Sequence, residues 1–293
     1  MVTPIDIEVA VPGGRLYAVR RGVADAPPVL LIHGLSASHV CLRGVAEALP
    51  ELDTIAVDLR GRGASSRLPG PYGMARHADD LAALLDAEQL DRVVVTGHSM
   101  GAFVALTLAH RHPDRVSRLV LADGGPMLPM PEGADPEAVM QAVVGASLAR
   151  LAMTFPTREA YLDFWRAHPA FAGHWNPLIE AYVDYDLVGE PPDLHSRVNA
   201  EAVRGDNIDI LTGHDLTEAI EQLAHPAVLL LAARGMQDEP APLYPAPVVD
   251  GWTARQPLLS ARRIDDLNHY TIVFDRRGIA KIAAEIRAAV ASS

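Results

Sequence analysis

The sequence predicts an α/β protein with a mostly parallel central sheet flanked by helices. Short apolar, β-branched runs alternate with helical stretches from Val29 to Asp123, the pattern produced by right-handed crossovers between parallel strands. One such unit passes from a strand at Val93-Val94-Val95 through Gly97-His98-Ser99-Met100-Gly101 into a helix beginning at Ala102. From Pro126 to about His214 the alternation stops, and only helical spacing remains before strands resume at Ala227.

Taken in order, Ile5 to Val11 and Leu16 to Val19 read as two strands joined by the turn Pro12-Gly13-Gly14-Arg15. Val29-Leu30-Leu31-Ile32 is apolar on both faces, as a central parallel strand is. It runs into His33-Gly34-Leu35-Ser36. His39 to Leu49 is helical and ends at Pro50. Thr54 to Val57 is the next strand and leads into Asp58-Leu59-Arg60-Gly61-Arg62-Gly63, where Asp58 and Arg60 are expected to be structural. Met74 to Leu85 is an amphipathic helix. Leu119 to Leu121 forms a strand ending at Ala122-Asp123-Gly124-Gly125.

The middle is expected to hold helices at Pro136 to Phe155, Thr157 to His168 and Pro177 to Leu187, with Thr157 as a cap. Ala227 to Ala232 and Leu258 to Ile264 then complete the sheet, and Gly278 to Val290 closes the chain as a helix. Asp184-Tyr185-Asp186 and Glu190 read as a solvated face.

Composition bounds the function. The chain has 293 residues, 49% of them hydrophobic, enough for a sizeable core. Its formal net charge is -12 and its basic residues do not cluster, so neither nucleic acid nor an anionic membrane is an expected partner. Arg62, Arg111 and Arg262-Arg263 read as solvated surface. Cys41 is the single cysteine, so no intrachain disulfide is possible; it reads as a small buried side chain on a helix. The N-terminus does not read as a signal peptide and no apolar run reaches spanning length, so a cytoplasmic protein is expected.

A strand, a Gly-x-Ser-x-Gly turn and a helix in succession form the context that makes Ser99 a nucleophile. The turn lifts the hydroxyl clear of the backbone, small glycines let neighbouring backbone pass, and the helix N-terminus faces developing negative charge. The stretch resembles the nucleophile elbow of the α/β-hydrolase superfamily, and the other landmarks extend that resemblance over nearly the whole chain. It implies an α/β-hydrolase fold, with residues 1–125 and 215–293 as the core and 126–214 as a helical cap inserted after the sixth strand. In such a cap Met127, Met130, Met140, Met153, Phe155, Phe164, Trp165, Phe171 and Trp175 would supply the cap core and part of an apolar acyl pocket.

The resemblance also assigns roles. The backbone N–H groups of Leu35 and Met100 would form an oxyanion hole. His269, in the loop after the last strand, fills the position of the base among twelve histidines. The chain order Ser99, Asp238, His269 is the superfamily's order. Asp238 follows Gly235 at the family's Gly-x-x-Asp spacing and is placed first as the acid, Asp123 second and Glu239 third.

A serine hydroxyl needs such a base, and the base needs a carboxylate to fix its tautomer. The implied chemistry is cleavage of a small-molecule carboxylic ester or lactone through an acyl-enzyme. Carbon–carbon bond hydrolysis and thioester hydrolysis use the same residues, and a non-hydrolytic lyase or a ligand-binding member of the fold is the reading from another class. Ser99 argues against an epoxide hydrolase or haloalkane dehalogenase, which need a carboxylate at the elbow. No dinucleotide fingerprint and no metal-ligand spacing is present, so no cofactor is expected.

Overall fold

The structure is a computed structural model and describes residues 3–23, 25–127, 133, 135, 138–139, 145 and 148–293. Eight strands form one sheet: β1 (Ile5–Val11), β2 (Gly14–Arg21), β3 (Pro28–Ile32), β4 (Asp53–Asp58), β5 (Val93–His98), β6 (Val116–Ala122), β9 (Ala227–Ala232) and β10 (Leu259–Ile264). Their spatial order is β1-β2-β4-β3-β5-β6-β9-β10. The hairpin β1–β2 joins β4 antiparallel, and every pairing from β4 to β10 is parallel. This is the mostly parallel sheet expected from the alternation of elements, in the arrangement that the α/β-hydrolase resemblance implies.

The central strands are buried on both faces. Every residue of β4, β5 and β9 is buried, as is β3 beyond Pro28. Such strands have no solvated side, which is why their sequences are continuous apolar runs rather than alternating ones. Helices Met74–Ala87 and Met100–Arg111 lie with β1, β3 and β5 in one hydrophobic cluster. Helix Arg276–Val290 packs in a second cluster with β6, β9 and the short helices at His39–Leu42 and Arg43–Glu47. Because the strands from β3 onward run parallel, their C-terminal ends share one edge, where His33, Ser99 and Asp123 directly follow β3, β5 and β6.

Between β6 and β9 the described residues hold helices Arg158–Arg166, Pro177–Asp186, Ala200–Thr212 and His214–Glu221, with a two-stranded ribbon of β7 (Leu187–Val188) and β8 (His195–Ser196). Residues 136–137, 140–144 and 146–147 of the helix expected at Pro136 to Phe155 lie outside the described residues, as do Met130 and Met140. Thr157 caps as expected, its side chain accepting from Ala160 N at 3.1 Å.

Two surface expectations are corrected. Asp186 is buried, accepting from Arg150 Nη1 at 2.9 Å, Tyr161 Oη at 2.5 Å and Ser196 Oγ at 2.9 Å, so only Asp184 of that triplet is exposed. Arg62 is fully buried. A buried guanidinium needs a carboxylate, and its partner is Asp206, from a helix nearly 150 positions along the chain.

Among the described residues no helix is long and apolar enough to cross a membrane.

Candidate active site

The turn after β5 is shaped by close approach. A Cβ on Gly97 would lie 2.1 Å from Gly101 O, and one on Gly101 would lie 2.1 Å from Ile32 O. Only glycine fits at either place. Between them Ser99 takes φ 54° and ψ -123°, a conformation that a residue with a Cβ rarely adopts. Its amide donates to Ala122 O at 2.9 Å and its carbonyl accepts from Ala102 N at 2.9 Å, so bonds on both sides hold the strained residue. Met100 begins the following helix, whose first amides have no intrahelical acceptor.

His269 meets Ser99 from the loop after β10. Its Nε2 lies 3.0 Å from Ser99 Oγ and its Nδ1 lies 2.7 Å from Asp123 Oδ2. A carboxylate accepts, so Nδ1 carries the proton and Nε2 is left to accept from the hydroxyl. Asp123 and His269 are both buried. The other carboxylate oxygen of Asp123 accepts from Ala232 N at 3.0 Å, and its own amide donates to Leu230 O at 2.8 Å. The acid is thus locked to β9 through backbone and side chain together.

Asp238, placed first from its spacing, does not touch His269, and this corrects the expectation. Its Oδ1 accepts from Arg234 Nε at 2.7 Å and Asn268 Nδ2 at 3.1 Å. The Arg234 guanidinium holds its carboxyl below the usual carboxylate range, with Asn268 assisting. Gly235 and Asp238 do close a turn, Asp238 N donating to Gly235 O at 3.3 Å, but that turn hands the carboxylate to an arginine four residues away. Glu239 Oε2 accepts from Gln237 N at 2.7 Å and is also spent locally.

Asn268 went unnoticed in the sequence. Its Oδ1 accepts from Tyr270 N at 3.0 Å and Thr271 N at 2.8 Å, while its amide nitrogen reaches Ala170 O at 2.9 Å. It fixes the loop that presents His269 and ties that loop to the helical segment.

His98 is the second histidine at the site. Its Nε2 donates to His269 O at 2.8 Å, leaving Nδ1 bare. Burial, then the neighbouring His269, pushes its pKa down to about 3, so it stays neutral. His33 is likewise neutral: burial lowers it to about 4. Its Nε2 accepts from Leu59 N at 3.0 Å, so Nδ1 donates to Gly34 O at 2.7 Å. Holding that carbonyl turns the amide of Leu35, on the same planar trans peptide, to the opposite side. Gly34 borders Ser99 directly: a Cβ there would lie 3.1 Å from Ser99 Cβ.

A pocket opens beside Ser99, walled by Leu35, Cys41, Tyr182, Met236, Tyr270, Val273 and Phe274. None of the cap residues expected to line it does so among those described. Phe155, Phe164, Trp165, Phe171 and Trp175 pack on one another through ring contacts of 5.6–6.5 Å, and Met153 is exposed. Tyr182 carries the helical segment to the pocket, and the helix Thr271–Phe274 after His269 contributes Val273 and Phe274. Among the described residues no cluster of three or more His, Cys, Asp or Glu could hold a metal ion.

A strained serine between a β-strand and a helix, with a buried histidine and aspartate behind it on a mostly parallel sheet, matches one fold. The chain has the α/β-hydrolase fold. The family model described as "alpha/beta hydrolase fold" matches residues 27–160. Lipase LipV of Mycobacterium tuberculosis (strain ATCC 25618 / H37Rv) is 35% identical over 176 residues, covering 60% of this chain and 63% of that one. A putative carbamate hydrolase, RutD, of Caulobacter sp. (strain K31) is 37% identical over 114 residues, covering 38% of this chain and 42% of its own. The chain therefore spans about a third to two thirds of the length of the curated relatives it matches. Among solved structures, E-2-(acetamidomethylene)succinate hydrolase superposes with a TM-score of 0.80 at 20% identity, over 97% of this chain and 98% of that one. This α/β-hydrolase chain thus shares its fold with proteins named for several different bonds.

Proposed function

We propose that this α/β hydrolase cleaves a carboxylic ester, or a lactone, with an apolar acyl group, by way of an acyl-enzyme on Ser99. The observation that carries the reading is the continuous relay from Ser99 Oγ through His269 to Asp123, with 3.0 Å and 2.7 Å links. The Ser99 hydroxyl attacks the carbonyl carbon while His269 Nε2 takes its proton. Asp123 holds the tautomer and stabilises the imidazolium that forms. The N–H groups of Leu35 and Met100 donate to the tetrahedral oxyanion, where preorganised donors act most strongly. His269 then protonates the leaving alkoxide, and a water it deprotonates releases the acid. Residues 126–214 act as a helical cap, and Tyr182 brings that cap to the acyl pocket.

The apolar walls of Met236, Val273 and Phe274 favour an uncharged, modest acyl group. LipV is named a lipase, which supports ester chemistry; RutD is named for carbamates, which keeps a neighbouring acyl bond in the test.

The test is a fluorophosphonate probe together with a panel of p-nitrophenyl esters, lactones, thioesters and carbamates. The expected result is label on Ser99 and fastest turnover of esters with short to medium acyl chains. Absence of label with no turnover of any acyl substrate would overturn hydrolysis. Faster turnover of thioesters or carbamates than esters would overturn the ester assignment.

A further inference from the structure

Arg62 has no part in the relay, yet its guanidinium touches both residues assigned to the oxyanion hole. Its Nε donates to Leu35 O at 2.8 Å, its Nη1 donates to Arg60 O at 2.8 Å, and its Nη2 lies 4.0 Å from Met100 Sδ. The side chain is fully buried. Its counter-charge is Asp206, in helix Ala200–Thr212 of the segment between β6 and β9. Asp206 Oδ2 also meets His77 Nε2 at 2.9 Å, and Oδ1 accepts from Gly73 N at 2.6 Å.

We propose that Arg62, anchored by Asp206, is the positioning residue of the oxyanion hole, so that seating the helical segment and setting the Leu35 loop are one event. The inference rests on the Ser99 reading above. Its physical content is a division of labour around one residue. His33 holds the peptide plane that precedes Leu35, through Gly34 O. Arg62 holds the carbonyl that follows Leu35. With the peptide groups on both sides of Leu35 held, its N–H has one orientation, and no reorganisation is left for the moment when charge develops.

A guanidinium is suited to this because its donors form a rigid planar fork that can serve a carboxylate and backbone carbonyls at once. Burial raises the Asp206 carboxyl, but Arg62 and His77 outweigh it and hold the acid far below its ordinary value, so the anchor stays charged. Removing the anchor leaves a buried cation without its partner, which then has to shift toward other acceptors. Leu35 O is bonded to the same guanidinium and is displaced with it.

The experiment compares wild type with Arg62→Met, Asp206→Asn and the double variant. Each is measured for kcat and KM on an activated ester and for affinity toward a trifluoromethyl ketone that adds to Ser99. Arg62→Met should lower kcat by on the order of a hundred-fold, with KM within threefold. Affinity for the ketone, whose adduct places an oxyanion in the hole, should fall by the same factor. A residue that merely supports the fold would not move those two quantities together at constant KM. Asp206→Asn should show the same split at about tenfold, and the double variant should fall no further than Arg62→Met, because both act through one side chain.

Folded Arg62→Met enzyme with kcat and ketone affinity within threefold of wild type overturns the proposal, as do multiplicative losses in the double variant. If Arg62→Met does not fold, Asp206→Asn decides, and unchanged ketone affinity there overturns it. Wild type that turns over no ester and takes no label at Ser99 defeats the hydrolase reading instead, so the two failures are distinguishable.

Discussion

Asp123 Oδ2 lies 2.7 Å from His269 Nδ1, although 146 residues separate the two in the chain. Asp123 stands at the end of β6, and Asp238, after β9, is engaged by Arg234. The contact orders the effects of two conservative substitutions.

Asp123→Asn should lower kcat by about ten-thousand-fold, because an amide neither fixes the imidazole tautomer nor stabilises the imidazolium. Asp238→Asn should cost less than about tenfold, since it acts only through Asn268 and the loop behind His269. Steady-state kinetics on equally folded proteins checks the order, and a larger loss for Asp238→Asn would return the acid to that position.

Ser99→Ala should abolish ester turnover, with a loss on the order of a million-fold if the three residues act as a unit. It should also gain stability or hold it, because alanine in place of the nucleophile retains the strained backbone but no longer needs the hydroxyl solvated. Residual turnover at a tenth of wild type would sink the nucleophile assignment.

Tyr182 and Trp165 sit on neighbouring helices and should separate cleanly. Tyr182 walls the pocket, so Tyr182→Ala should shift the preferred acyl chain length, read as altered kcat/KM ratios across a p-nitrophenyl ester series. Trp165 is 4% exposed within the aromatic cluster, so Trp165→Ala should cost about 3 kcal/mol or more of stability with those ratios unchanged. Changed chain-length ratios in the Trp165 variant would place that ring at the pocket instead.

Acid should destabilise the protein well above the carboxylate range. His33 and His98 have folded pKa values of about 4 and about 3, below their ordinary 6.5. As pH falls through 6.5 the unfolded chain takes up protons that the folded protein refuses, so stability declines with falling pH and levels off only below the folded values. The depressed Asp206 contributes its own loss only below 3.8, outside the window from 6.5 to about 4.5. Urea midpoints across that window should fall for wild type by an amount worth on the order of a few kcal/mol. They should fall less for His98→Gln, whose amide can donate to His269 O without a titrating ring. A flat profile in wild type would contradict the buried neutral pair.

The sequence by itself determined the fold and the tight turn that presents Ser99. Both are written in local chemistry: continuous apolar runs at Val29–Ile32, Val93–Val95 and Ala227–Ala232 can only be strands buried on two faces, and Gly97 and Gly101 fit a turn where backbone passes within contact of a missing Cβ. His269 was legible from its place after the last strand. Tertiary structure decided what the chain order leaves open. Two loops at one edge of a parallel sheet both offer an aspartate, and only packing shows that Ala232 N locks Asp123 beneath His269 while Arg234 takes Asp238. It also turned Arg62 from an expected surface charge into a buried partner of Asp206, and the expected pocket aromatics into a self-packed cluster, with Tyr182 and Phe274 at the pocket instead. The physical reason is common to these cases. Secondary structure follows from neighbours a few residues apart, whereas the partner of a charge or a ring is whichever group folding brings within a few ångströms, and the spacing of residues along the chain does not encode that distance.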